Sequence, residues 1–286
     1  RPERIFSMQR LRKLFSYGWK LLASSLLDTG YNSLRSLLIG KMYTSEDLAY
    51  YNRGQQFPSL IVTNINASID SVLFPTMSRE QDDRGRIRNM TRRAIQTSTY
   101  IMAPLMIGLA VCSETLVRLV LTEKWLPCVP FLAVYCIAFM FYPVHTANLN
   151  AIKAMGRSDL FLKLEIAKKV ISVVVILITV RISVMAMAWS VLALSIAGQV
   201  INSMPNRKLL GYGYGEQLTD ILPGIAMALF MGACIRPLAG LGLGDAPTLA
   251  LQFVSGALVY IGGSALLRLE AFRYLLSAVK TFRGGE

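Results

Sequence analysis

Between Pro58 and Met77 an apolar run carries side chains that an apolar run has no need of: Ser59, Thr63, Asn66 and Asp70, separated by four, three and four residues. At helical spacing they share one face. The stretch from Phe15 to Gly40 repeats the pattern with Lys20, Ser24, Asp28, Tyr31 and Arg35, again three or four residues apart. Amides, hydroxyls and charges of both signs at this spacing suit the binding of a large polar solute carrying an anion. They do not supply an enzyme's acid, base and nucleophile. His145, the single histidine, and the carboxylates Asp28 and Asp70 are the groups able to couple a proton or an ion to movement of that solute. The spacing of His, Cys, Asp and Glu gives no metal-ligand pattern, and no residue pattern calls for a cofactor.

The elements that must position these residues are membrane helices. Of 286 residues 53% are hydrophobic and only 16% charged, with a mean hydropathy of +0.46, too apolar for an ordinary soluble domain. About 20 residues cross a hydrocarbon core of ~30 Å. Eight stretches meet that length: 15–40, 57–77, 97–121, 127–150, 161–181, 184–204, 218–240 and 248–268. The expected fold is all-α, a polytopic transmembrane bundle. A charged side chain facing lipid costs roughly 2.5–3.5 kcal/mol, so the polar stripes should face other helices or a wet cavity.

The net charge of +13 would suit nucleic acid on a soluble fold, but here it falls between apolar spans. Arg1, Arg4, Arg10, Arg12 and Lys13 precede the first span, and Arg79, Arg84, Arg86, Arg88, Arg92 and Arg93 follow the second. Lys153, Arg157, Lys163, Arg207, Lys208, Arg268, Arg273, Lys280 and Arg283 continue on alternate connections. The other connections hold far fewer basic residues. The positive-inside rule then places both termini in the cytoplasm, and nucleic acid is not an expected partner.

Between the first two spans Tyr50 to Gly54 reads as an outer turn, with Pro58 in the first turn of the next helix. Ser78 to Arg93 reads as a charged surface helix or loop, and Glu114 with Arg118 as an i,i+4 ion pair near the outer end of span three. Ala186, Ser190, Ala193 and Ala197 offer span six a small-residue face for close helix approach. The last two spans are more uniformly apolar, apart from Asp220 and Gln252, and are expected to lie peripheral to the polar core. The cysteines Cys112, Cys128, Cys136 and Cys234 have no paired spacing and are expected to pack.

The stretches LRSLLIGKMYTSEDLAYYNRGQQFP (34–58), SVLFPTMSREQDD (71–83), EKWLPCVPFL (123–132) and AIKAMGRSDLFLKLEIAKKV (151–170) resemble the Wzx-type polysaccharide and lipopolysaccharide exporters of the multidrug/oligosaccharidyl-lipid/polysaccharide superfamily. That resemblance implies two six-helix lobes around a central cavity, often followed by two further helices. This chain resembles the second lobe with the extra pair. The implied organisation is an N-terminal arm (1–14) continuing from a missing upstream lobe, a six-helix lobe (15–204), two additional helices (205–268) and a cytoplasmic tail (269–286).

The implied activity is movement of an undecaprenyl-diphosphate-linked oligosaccharide across the bacterial inner membrane by rocking of the lobes. The implied partners are that lipid-linked oligosaccharide, membrane lipids and the polymerase and assembly proteins of polysaccharide biosynthesis. On this reading Lys20, Arg35 and Arg53 meet the diphosphate or acidic sugars, Tyr31, Thr63 and Asn66 meet hydroxyls, and Asp28 or Asp70 couples an ion. A small-molecule exporter of the same superfamily and a non-transporting assembly subunit are the alternatives.

Overall fold

A computed structural model describes Met8 and residues 29–283, without the side chains of 278–283. The described chain is helical throughout. Helix α1 covers 29–42. It belongs to a compact unit ending at Leu48, and residues from Ala49 onward form a second. Helix α2 is Ser45–Arg79 and α3 is Arg84–Val111. Then come α4 (Ser113–Leu121), a 3-10 turn (Glu123–Cys128), α5 (Val129–Phe139) and α6 (Tyr142–Ala154). Helices α7 (Ser158–Thr179) and α8 (Val184–Leu210) form a tight hairpin, with the Ser183 hydroxyl capping α8 at Ala186 N, 3.0 Å. Helix α9 (Tyr214–Ile235), a 3-10 turn (Arg236–Leu241), α10 (Asp245–Leu266) and α11 (Glu270–Arg283) complete the order.

Among the described residues, six segments are long and apolar enough to cross a membrane: α2, α3, 123–154, α8, 214–241 and α10. Helix α7, at 22 residues, matches the fifth expected span but carries Asp159, Lys163, Glu165, Lys168 and Lys169 between its N-terminus and its middle. The chain is a multi-pass membrane protein. The first expected span, 15–40, lies partly outside the described residues.

The turn between the first spans is not at Tyr50–Gly54. The chain breaks at Tyr43–Thr44, where the Thr44 hydroxyl and Asp47 carboxylate cap α2 reciprocally (Thr44 Oγ1 to Asp47 Oδ2 2.7 Å, Asp47 N to Thr44 Oγ1 3.1 Å). Tyr51, Gly54, Pro58 and Val62, at steps of three and four, are instead the buried face of α2. Tyr51 is wedged edge-on between Phe131 and Tyr135. Likewise the charged segment after α2 is mostly helix: Asp83 caps α3 by accepting from Arg86 N at 2.9 Å, and the arginines ride on its first turns. Span three divides at Cys112, and the expected Arg118–Glu114 pair, 2.6 Å, sits on the separate helix α4.

Helix α3 is the central post, packed along α9 and against α5 and α6. Of the last two spans, α9 thus packs along the central post and α10 mainly against α9 and α4. Gly232 lies so close to Ile107 that a Cβ would fall 2.8 Å from its side chain, and the Tyr260 hydroxyl donates to Tyr100 O at 2.7 Å, joining α10 to α3. The packing face of α8 also differs from the expected one. Of the four expected residues Ser190 is buried, but Ala193 is exposed and Ala186 and Ala197 are half-buried. The buried stripe is Ser195, Gly198, Gln199, Asn202, Ser203 and Asn206. Small size alone did not choose the face, because polar groups in an apolar phase must also reach partners. Cys112, Cys128 and Cys136 are buried and Cys234 is exposed.

Candidate functional site

Helix α2 presents two polar surfaces. The flank read from the sequence holds Ser59 and Asn66, half-buried, with Thr63 and Asp70 exposed. Asp70 Oδ1 accepts from Asn150 Nδ2 of α6 at 2.6 Å. The oxygens Asn66 Oδ1 and Asn150 Oδ1 are buried without a hydrogen-bond donor.

Beside this flank runs a face the sequence reading passed over. Leu60, Thr63, Asn64, Ala67, Ser68 and Ser71 follow i, i+3, i+4, i+7, i+8 and i+11, and every one is exposed. Their donors turn back onto the helix: Asn64 Nδ2 to Leu60 O at 2.7 Å, Ser68 Oγ to Asn64 O and Ser71 Oγ to Ser68 O, both 2.9 Å. What remains outward is mainly acceptor oxygen, with the second Asn64 N–H and the Thr63 hydroxyl as donors, a mixture suited to the hydroxyls of a sugar.

Toward the N-terminal end of α2, Arg53 is held over an aromatic ring. Its guanidinium carbon lies 4.8 Å from the centre of the Trp125 ring and its Nη1 donates to Gln56 Oε1 at 2.7 Å. Tyr50 meets the same indole edge-on. Ala49, Asn52, Arg53, Gln56 and Trp125 line a cavity of about 430 Å³. A guanidinium fixed by stacking loses less freedom when it binds an anion.

Tyr31 and Arg35 lie one turn apart on α1. Lys20 and Asp28 lie outside the described residues.

His145 is packed into a fixed network. Ser195 Oγ donates to Ala138 O at 2.8 Å, so its contact with His145 Nε2 at 3.5 Å needs the hydrogen on Nε2. Nδ1 then accepts from Asn202 Nδ2 at 3.2 Å. A Cβ at Gly198 would sit 3.2 Å from His145 Cε1, so glycine makes the space for the ring. Both ring nitrogens are thus used within the α6–α8 interface.

A second network closes the opposite end of the bundle from Arg53. Asn148 and Gln217 exchange amide hydrogen bonds at 2.9 and 3.0 Å, and Asn206 Nδ2 donates to Asn148 Oδ1 at 2.6 Å. Asp220 receives Arg92 (2.8–3.1 Å), Gln96 (3.0 Å) and the Tyr212 hydroxyl (2.7 Å). Burial and the bond to Asp220 push the Tyr212 hydroxyl well above the ordinary phenol range, so it remains a donor. Gly211, in the left-handed region at φ 65°, ends α8 and lets Tyr212 turn inward. Asn148, Asn206 and Gln217 come from three separate helices, α6, α8 and α9, so no periodicity along the chain announces their meeting.

With this geometry established, the comparisons are specific. A family model described as "Polysaccharide biosynthesis protein" matches residues 1–130. The teichuronic acid biosynthesis protein TuaB of Bacillus subtilis is 26% identical over 269 residues, covering 91% of this chain and 55% of that protein. The lipopolysaccharide biosynthesis protein WzxC of Escherichia coli is 24% identical over 248 residues, 82% of this chain and 50% of the relative. Among solved structures, lipid II flippase MurJ in an inward closed conformation superposes with a TM-score of 0.74 at 16% identity, over 96% of this chain and 57% of its own. The resemblance to Wzx-type exporters holds. The fold is that of the MurJ flippase structure, and the chain spans about half the length of the curated relatives it matches.

Proposed function

We propose that this chain forms one lobe (15–204) and two accessory helices (205–268) of a flippase that carries a lipid-linked oligosaccharide across the bacterial inner membrane by alternating access. The observation that carries this reading is α2, a helix apolar enough to span a membrane yet exposed along Thr63, Asn64, Ser68, Asp70 and Ser71. Hydrocarbon is a poor neighbour for that surface, and a wet cavity wall is a good one. The relatives named for lipopolysaccharide and teichuronic acid biosynthesis support the substrate class.

In this reading the exposed face of α2 with its Thr63, and beside it Asn66, meets sugar hydroxyls, Tyr31 of α1 serves the same purpose, and Arg53, Arg35 and Lys20 meet diphosphate or acidic sugar. Asp70, with Asp28, is the coupling group. His145 is assigned to helix packing, because its nitrogens are already engaged. Both termini lie in the cytoplasm, and polymerase and assembly proteins take up the product.

The test uses the full-length reading frame in inside-out and right-side-out membrane vesicles, with Cys234 replaced by alanine. Cysteines at Asn64 and Ser68 should react with a charged, impermeant thiol reagent and be protected by lipid-linked oligosaccharide. Inertness of both positions from both sides would refute a wet wall. Arg53→Ala at normal protein level should lower surface polysaccharide at least tenfold.

A further inference from the structure

The C-terminal helix α11 makes two described ring contacts with α3. Phe272 meets the Tyr100 ring at 6.4 Å, and Tyr274 carries the Arg93 guanidinium 5.3 Å from its centre. Residues two apart on a helix point to opposite sides, 200° apart, whereas Arg93 and Tyr100 are seven residues apart, about 10 Å along α3. Opposite flanks of one helix, whose diameter with side chains is about 10–12 Å, therefore span that distance. Helix α11 lies across α3, not alongside it. Since α3 crosses the membrane, α11 lies near the membrane plane.

Phe272 marks its deeper flank, toward the middle of α3, and Tyr274 the shallower one. Leu275 and Leu276, three and four residues after Phe272, share the deeper flank. Leu276 is 45% exposed, and Leu266 and Leu267 at the end of α10 are 83% and 65% exposed. An apolar surface thus continues from α10 onto the underside of α11.

The rim above it is basic. Arg93, Arg268 and Arg273 are exposed and form no ion pair among the described residues. Two carboxylates line the same pocket as Arg268: Asp220, which Arg92 already pairs, and Glu270. Arg268 adds a second sign of use. It stands at φ 52° in the turn that closes α10, with Leu269 N bonded to Ser264 O at 3.1 Å, the position where helices usually place glycine. A side chain kept where it strains the backbone points to a role for that side chain.

We propose that α11 is an interfacial helix seated on anionic phospholipid, with Leu276 among the acyl chains and Arg93, Arg268 and Arg273 at the phosphates. Charge complementarity and the continuous apolar surface select a bilayer over a protein partner. The inference needs only the membrane-spanning fold, not the transport reading.

The protein is reconstituted in nanodiscs with Cys234→Ala and Leu276→Cys carrying a bimane label. Phosphatidylglycerol or phosphatidylcholine bears a spin label high on its acyl chain. Quenching should be at least twofold stronger on phosphatidylglycerol, and Arg268→Gly with Arg273→Gln should abolish that preference. Glycine suits the left-handed turn, so this variant keeps its fold, checked by an unchanged melting temperature. Absence of quenching by either lipid, as when protein or a second copy covers the face, overturns the proposal. Equal quenching by both lipids overturns its anionic part.

Discussion

Replacing Asp220 by alanine is expected to destabilise the protein by about 3 kcal/mol, lowering the melting temperature in detergent by on the order of 5–10 °C. The Asp220 side chain is 8% exposed and receives Arg92, Gln96 and the Tyr212 hydroxyl at once. Alanine removes every acceptor and leaves the buried Tyr212 hydroxyl without one. Arg92, half exposed, recovers part of its loss from water, which is why the expected cost stays below that of a fully buried broken pair. Asp220→Asn keeps an acceptor and should cost about half as much. Tyr212→Phe removes donor and need together and should cost about 1 kcal/mol. If Asp220→Ala melted within 1 °C of the parent, the network would not be holding α9 to α3.

Most of the spans were legible in the sequence because length and apolarity suffice to define them, and the Arg-rich connections grouped the ends of α3 and α9. The structure brings those ends together through Arg88–Glu216 and Arg92–Asp220. The stripe of Ser59, Thr63, Asn66 and Asp70 was found, but its exposed neighbour, Asn64 with Ser68 and Ser71, was not. A helix face is visible as a period, whereas which period faces outward depends on what packs behind it. Here Tyr51, Gly54, Pro58 and Val62 decide that, and two of these four had been read as turn signals. The α6–α8–α9 amides, Asn148, Asn206 and Gln217, left no mark because they converge from separate helices.

Gly54 is where that misreading becomes a measurement. A Cβ there would meet Phe131 Cβ at 2.6 Å, Leu132 N at 2.9 Å and Cys128 O at 3.0 Å. Two of these atoms are backbone and the third is attached to it, so no rotamer change relieves the contact. Gly54→Ala must push α2 away from the 3-10 turn and α5, at an expected cost of about 1–3 kcal/mol. The same shift unseats Tyr51 from Phe131 and Tyr135 and moves Arg53 off Trp125. Export in the full-length protein should therefore fall along with the melting temperature. Gly262→Ala, on an open face of α10 with nothing within 4 Å, should instead stabilise by about 0.5–1 kcal/mol. Phe131→Ala should fail to rescue Gly54→Ala, because alanine keeps the very Cβ that collides. Recovery in that double variant would mean that the ring, and not the backbone approach, fixes the position of Arg53.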